Sequence, residues 1–95
     1  MTKFDSGQFL STPGALEALT ESNQSPSEFL DRHSNGDWGD MCNEDRQLND
    51  AALNDGSRIF SSFKTRNGTK IWVITEAADD NGVRSATTIL LPEEY

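Results

Sequence analysis

Apolar residues follow two rhythms along this chain. From Pro13 to Leu53 they come in pairs spaced three or four apart among polar residues, and from Arg58 to Leu91 they alternate with polar or β-branched neighbours. The first rhythm is that of short amphipathic helices and the second that of strands. Thr12-Pro13 opens a helix over about 13–21, with Thr12 as cap and Pro13 at the first helical position, where its missing N–H is no loss. Ser25-Pro26-Ser27-Glu28 opens a second, running to about His33, in which Ser25 and Glu28 have the spacing of a reciprocal capping box. Phe29 and Leu30 face inward, His33 lies one turn beyond Phe29, and Asn35-Gly36 ends the helix. Gly36-Asp37-Trp38-Gly39-Asp40 is a turn whose tryptophan plugs the core. A third helix starts with Asn43 as cap and Glu44 and Asp45 in its first turn, buries Leu48, Ala51, Ala52 and Leu53, and stops at Gly56.

Beyond Ser57 the segments 58–64, 69–76 and 83–91 read as strands joined by Asn67-Gly68 and by Asp79-Asp80-Asn81-Gly82. With a two-residue turn at each Asn-Gly, Phe63 lies opposite Trp72, Ile74 opposite Ile89, and Trp72 opposite Leu91. Phe63, Trp72, Ile74, Ile89 and Leu91 then share one face, and Phe60, Ile71, Val73, Thr75, Thr88 and Leu90 the other. The expected fold is therefore α+β: three short N-terminal helices on a three-stranded antiparallel meander. Residues 4–10 are left as either an arm or an edge strand.

Length makes this one domain, 1–95, with a helical half over 1–56 and a sheet half over 57–95. Charge divides the same way. Residues 1–55 carry 11 acids against 3 bases, a net of −8, whereas 56–95 carry five of each. Arg58, Lys64, Arg66 and Lys70 form a local basic patch in a stretch with no acid before Glu76. A single cysteine, Cys42, and a single histidine exclude a disulfide framework and the paired Cys/His zinc patterns. No metal or other cofactor is expected, and a reducing cytoplasm fits best. Met1-Thr2-Lys3-Phe4-Asp5 lacks the charged-then-apolar order of a secretory leader, and no apolar run is long enough to span a bilayer.

Three candidate chemistries deserve weighing. Asp31, His33, Asn35, Gly36 and Asp37 imitate the start of a calcium loop, but the twelfth loop position is Cys42 where a bidentate glutamate is needed. Cys42 itself reads as a buried thiol rather than a nucleophile. His33 as acid or base, Arg58 or Lys70 as charge stabiliser and Thr87 as a phosphate-positioning residue would make a metal-independent ribonuclease, on an architecture resembling barnase and the RelE-like toxins.

The acidic half has the wider reach. Acids spaced like phosphates would occupy the cationic groove of a protein that handles nucleic acid. Asp31, Asp37, Asp40, Glu44 and Asp45, with Trp38 as an aromatic contact, are the candidate partner-binding residues. Direct DNA binding is not expected of so acidic a chain. A homodimer built on the half-polar sheet face is a third reading. Taken together, Thr12-Pro13-Gly14-Ala15-Leu16, Arg32-His33-Ser34-Asn35-Gly36-Asp37-Trp38-Gly39, Ile71-Trp72-Val73-Ile74-Thr75-Glu76 and Thr87-Thr88-Ile89-Leu90-Leu91-Pro92-Glu93-Glu94-Tyr95 resemble a group of small bacterial proteins described as plasmid-related. That resemblance implies a setting among mobile elements and their conflicts and assigns no residue a role; the acidic half, in that setting, is what suggests an anti-defence or DNA-mimic protein. The chain departs from the group at Glu76-Ala77-Ala78-Asp79-Asp80, where a shorter, arginine-containing turn is the pattern.

Overall fold

The computed structural model describes residues 3–95, so Met1 and Thr2 of the stretch read for a leader lie outside it. Its order is β1 (Gln8–Ser11), α1 (Pro13–Glu21), α2 (Pro26–Ser34), α3 (Asn43–Asp55), β2 (Ile59–Lys64), β3 (Lys70–Thr75), β4 (Ala86–Leu90) and a closing 3-10 turn, Pro92–Glu94. The three helices stand where the apolar spacing puts them. The sheet does not match the expected three-stranded meander: it has four strands in the order β1-β4-β3-β2 and is mixed. β1 pairs parallel with β4, Gln8 opposite Ala86 and Leu10 opposite Thr88, while the β2–β3 and β3–β4 pairs are antiparallel.

The register also differs from the two-residue-turn expectation, by one residue in each hairpin. Thr65 N–H donates to Thr69 C=O and Gly68 N–H to Thr65 C=O, so the first turn spans Arg66-Asn67-Gly68. Asp79 and Val83 bracket Asp80-Asn81-Gly82 in the same way. Both glycines have left-handed φ, 85° at Gly68 and 78° at Gly82. This is the three-residue loop that ends in a left-handed glycine, for which Asn-Gly serves as well as for the two-residue turn. Phe63 consequently faces Ile71, Trp72 faces Leu90 and Ile74 faces Thr88. A one-residue slip exchanges faces. The inner face therefore carries Ile59, Ser61, Phe63, Ile71, Val73, Thr75, Thr87 and Ile89, all buried. Phe60, Trp72, Ile74, Thr88 and Leu90 lie on the outer face, partly covered by the closing turn and by Tyr95, whose ring meets Trp72 edge-to-face at 5.8 Å.

α1 and α2 lay Ala15, Leu19, Phe29 and Leu30 on Phe63, Ile71, Val73 and Ile89, and a smaller cluster joins Trp38, Ala52 and Ile59. The cap at Thr12 forms, its hydroxyl accepting from Ala15 N–H. The box at Ser25 does not close: Ser25 Oγ pairs with Ser27 Oγ, and Glu28 accepts from Gln24. Cys42, not Asn43, precedes α3 as its cap. Nor does α3 bury the residues expected of it, since Leu48 is 67% exposed and Ala51 is exposed, while Asn49 and Ala52 point inward. The cause is position. α3 lies along the outer edge of β2 rather than over the sheet, and what that edge needs is a hydrogen-bonding group. Asn49 Nδ2 donates to Phe60 C=O (2.6 Å) and its Oδ1 accepts from Phe60 N–H (3.0 Å). Two residues on, Ser62 N–H donates to Trp38 C=O and Ser62 C=O accepts from Asp40 N–H. The edge is thereby paired at Phe60 and Ser62.

Replacing Asn49 by Ala leaves both Phe60 groups without these partners, and should lower unfolding stability by about 1–3 kcal/mol. Urea denaturation reads this as a lower midpoint at constant slope; an unchanged midpoint would refute the edge-closing role.

Candidate functional site

Polar residues at core positions are the feature of this structure that apolar packing does not explain. Ser61, Thr75 and Thr87 project from β2, β3 and β4 on the inner face, and His33 projects onto them from the last turn of α2. All four are 0% exposed. His33 Nδ1 lies 2.5 Å from Ser61 Oγ and Nε2 lies 2.8 Å from Thr75 Oγ1. Thr75 Oγ1 is 2.7 Å from Thr87 Oγ1, which donates to the Ser6 carbonyl at 2.8 Å.

The protons in this chain can be assigned from one end. Thr87 has one hydrogen and gives it to Ser6 C=O, so towards Thr75 it can only accept. Thr75 therefore donates to Thr87 and accepts from His33, which places the imidazole proton on Nε2 and leaves Nδ1 to accept from Ser61 O–H. Every donor of this His33 relay is used. Phe4 and Trp38 close over the ring, each edge-on, with centroids at 5.4 and 5.9 Å. The same wrapping pushes the His33 pKa down from 6.5 to about 4, because burial penalises the imidazolium.

Arg84 sits next to this assembly, its guanidinium 5.8 Å from the Phe4 ring centroid. It donates to the carbonyls of Ser57, Glu76 and Ala52, joining the end of α3 to the ends of the hairpin strands. Lys3, Phe4 and Asp5 line an open cleft of about 300 Å³ with Leu53, Gly56 and Arg84.

Of the residues considered for ribonuclease chemistry, His33 and Thr87 are brought together, through Thr75. Arg58 and Lys70 are not: they flank opposite ends of the β2–β3 pair, and both are exposed. A serine hydroxyl donating to an imidazole nitrogen is also how a nucleophile meets its base, but here the pair is sealed from solvent and its hydrogen bonds are spent inside the core. Ser61 and Thr75 escaped the sequence reading because the register was taken one residue off. In the true register they share the parity of Ile59, Phe63, Ile71 and Val73, and hydroxyls in an inward apolar series would have marked them.

The acidic candidates lie elsewhere. Asp31, Asp37, Asp40, Glu44 and Asp45 are all exposed, whereas Trp38 is 3% exposed and its indole N–H donates to Asp50. Trp38 is thus a core plug, not an exposed contact. Partial burial pushes the Asp37 carboxyl up, but Arg32 at 2.7 Å and the Gly39 N–H outweigh it and hold the pKa below the ordinary carboxylate range. The loop is fixed from below. Asp40 N–H bonds to β2, and Arg46 donates to the carbonyls of Met41 and Gly39. Cys42, expected to be buried, is exposed at the start of α3 and donates to Asp45 at 3.3 Å, because the loop crosses outside the β2 edge. Beside the loop an open groove of about 330 Å³ is lined by Met41, Asp45, Leu48, Asn49, Arg58 and Phe60. Among the described residues no group of three His, Cys, Asp or Glu is placed to hold a metal ion, and no helix is long and apolar enough to cross a membrane. Comparison with protein-family models, curated proteins and solved structures finds no match.

The His33 environment fixes a pH response. Its folded pKa of about 4 lies below the unfolded value of 6.5, so the unfolded chain binds the proton more readily and stability falls as pH drops through that window. Between pH 7 and pH 5 the loss from this residue should be about 2 kcal/mol. His33→Gln should be less stable at pH 7 and should lack most of that slope in parallel denaturation curves. Equal slopes in the two proteins would show that His33 is not buried neutral.

Proposed function

We propose that this chain is a non-enzymatic interaction protein of the cytoplasm, and that its acidic loop docks on the cationic groove of a protein that handles nucleic acid. The observation that carries the reading is the joint placement, along one fixed edge of the fold, of exposed Asp40, Glu44 and Asp45 beside a groove with exposed Leu48 and part-exposed Phe60. Charge supplies long-range attraction to a basic partner, and the groove supplies an apolar anchoring point next to it. Little of this acidity is neutralised within the chain. All 11 acids of residues 1–55 are exposed, and among the described residues the single ion pair is Arg32–Asp37. The loop's backbone and arginine hydrogen bonds hold it in place before binding, which reduces the ordering cost. A restriction or replication component would suit the mobile-element setting that the plasmid-related resemblance implies. The ribonuclease alternative has less support, because its histidine is closed to substrate and its two basic residues stand apart.

Binding of this kind weakens with salt. Capture of a nucleic-acid-handling protein from host lysate is expected at ~0.1 M salt, with release by ~0.5 M salt and by competing DNA. The triple variant Asp40→Lys, Glu44→Lys, Asp45→Lys should weaken capture by at least about tenfold. Capture that persists at the higher salt, or that ignores the charge reversals, would refute the acidic-loop reading.

A further inference from the structure

The basic stretch of the chain has a place in the fold that neither the acidic loop nor the His33 relay uses. Residues 57–75 hold Arg58, Lys64, Arg66 and Lys70 and no acid, and all four cations are exposed. Lys64 lies directly opposite Lys70, and with Arg58 both share the outer-face parity of Phe60 and Trp72. Like charges opposed across a strand pair destabilise it, and an anion lying between them removes that cost. Aromatic rings run along the same face. Phe60 and Trp72 meet edge-to-face at 4.9 Å, and Trp72 meets Tyr95 at 5.8 Å. The Arg58 guanidinium stands 5.6 Å from the Tyr95 ring centroid and donates to its hydroxyl. Phe60 and Trp72 are part-exposed, and Tyr95 is 65% exposed. The helices leave this face open, since α1 and α2 pack on the other one and α3 lies along the β2 edge.

We propose that the outer sheet face is a platform for single-stranded nucleic acid, with bases stacked on Tyr95 and Trp72 and phosphates on Lys64, Lys70 and Arg58. Rings interleaved with cations match a polymer that alternates planar bases with anions. An acidic peptide would use the cations and not the rings, and a duplex keeps its bases stacked inside, away from them. The total charge of −8 does not govern this face, because the charges are segregated. Eleven acids belong to residues 1–55, which form the arm, helices and loop behind or beside the sheet apart from β1, itself free of charge. Screening over about 8 Å at physiological salt weakens their reach through the fold. Of the acids nearer the face, Glu94 is tied to the Thr12 hydroxyl and to the Gly14 and Leu91 N–H groups. Glu76 follows Thr75, which pairs with Ile59, so it lies at the Arg58 end, and Glu93 is exposed in the closing turn. Lys64 and Lys70, at the opposite end of the β2–β3 pair, therefore supply the main phosphate contact.

Fluorescence anisotropy of the full chain with labelled oligo-uridine and oligo-deoxythymidine of about eight nucleotides tests this. The expected dissociation constant is about 10⁻⁶–10⁻⁴ M at ~0.05 M salt, rising about tenfold or more by ~0.3 M salt. Binding of either oligomer supports the proposal, and a preference between them names the sugar. Tryptophan emission should be quenched on binding, a signal that belongs to Trp72 because Trp38 is 3% exposed. Tyr95→Ala should weaken binding by about fivefold or more, and the double variant Lys64→Gln, Lys70→Gln by about tenfold. All three positions are exposed, and circular dichroism verifies folding of the variants. Should a variant fail to fold, the quenching and salt dependence of the unaltered protein decide. No binding at ~0.5 mM protein and low salt overturns the proposal, as does binding without quenching, binding indifferent to the variants, or a duplex held as tightly as a single strand. Competition by oligo-glutamate as strong as by unlabelled oligonucleotide would assign the face to an acidic protein surface and overturn it equally.

Discussion

A hydrogen-bonded relay runs from Ser61 through His33, Thr75 and Thr87 to the carbonyl of Ser6, and the assembly depends on it because it touches every layer. It crosses β2, α2, β3 and β4 and ends in the segment before β1. Apolar packing alone would leave α2 free to adjust its position over the sheet, since side chains such as Phe29 and Leu30 fit many neighbours. A neutral imidazole between two hydroxyls does not have that freedom: its donor and its acceptor must each meet the right partner. An unmet buried donor or acceptor costs about 1–3 kcal/mol, against a total stability of about 5–15 kcal/mol for a domain. A helix displaced enough to break two such bonds would lose a large part of the margin that keeps the chain folded.

With α1 and α2 fixed over the inner face, α3 finds the face occupied and takes the β2 edge. That explains its unusual composition. A helix over a sheet needs large apolar residues, but a helix along an edge needs a group that imitates a neighbouring strand, and the Asn49 carboxamide has one donor and one acceptor in the arrangement of a peptide unit. The acidic loop between α2 and α3 is laid against the same edge by Ser62. Edge closure and the placement of Asp40, Glu44 and Asp45 are thus two results of one packing choice.

What could be read in the chain was what is encoded locally. Thr12-Pro13 and Ser25-Pro26 marked helix starts because capping and proline chemistry act within a turn, and Trp38 was recognisable as a plug between its two flanking glycines. The turn lengths were not legible. Asn-Gly satisfies a two-residue turn and the three-residue turn ending in a left-handed glycine equally, and the single extra residue reversed the faces of both strand pairs. That reversal hid Ser61 and Thr75 as companions of His33. β1 stayed undecided between arm and edge strand because its partner, β4, lies at the far end of the chain and pairs in parallel, so no turn announces it. Leu48 was misassigned to the core because periodicity identifies an apolar residue, not the surface its helix will meet.

The acidity and the open edge explain each other. An uncharged, apolar strand with unpaired backbone groups is an aggregation hazard, which proteins usually limit with charges or prolines on the strand itself. This chain has neither at β1, yet its surroundings are strongly anionic, with all 11 acids of the first 55 residues exposed. Long-range repulsion between like-charged molecules makes end-to-end growth costly in any geometry that brings acidic surfaces together. The charge that would suit a basic partner therefore also holds the open β1 edges of like molecules apart.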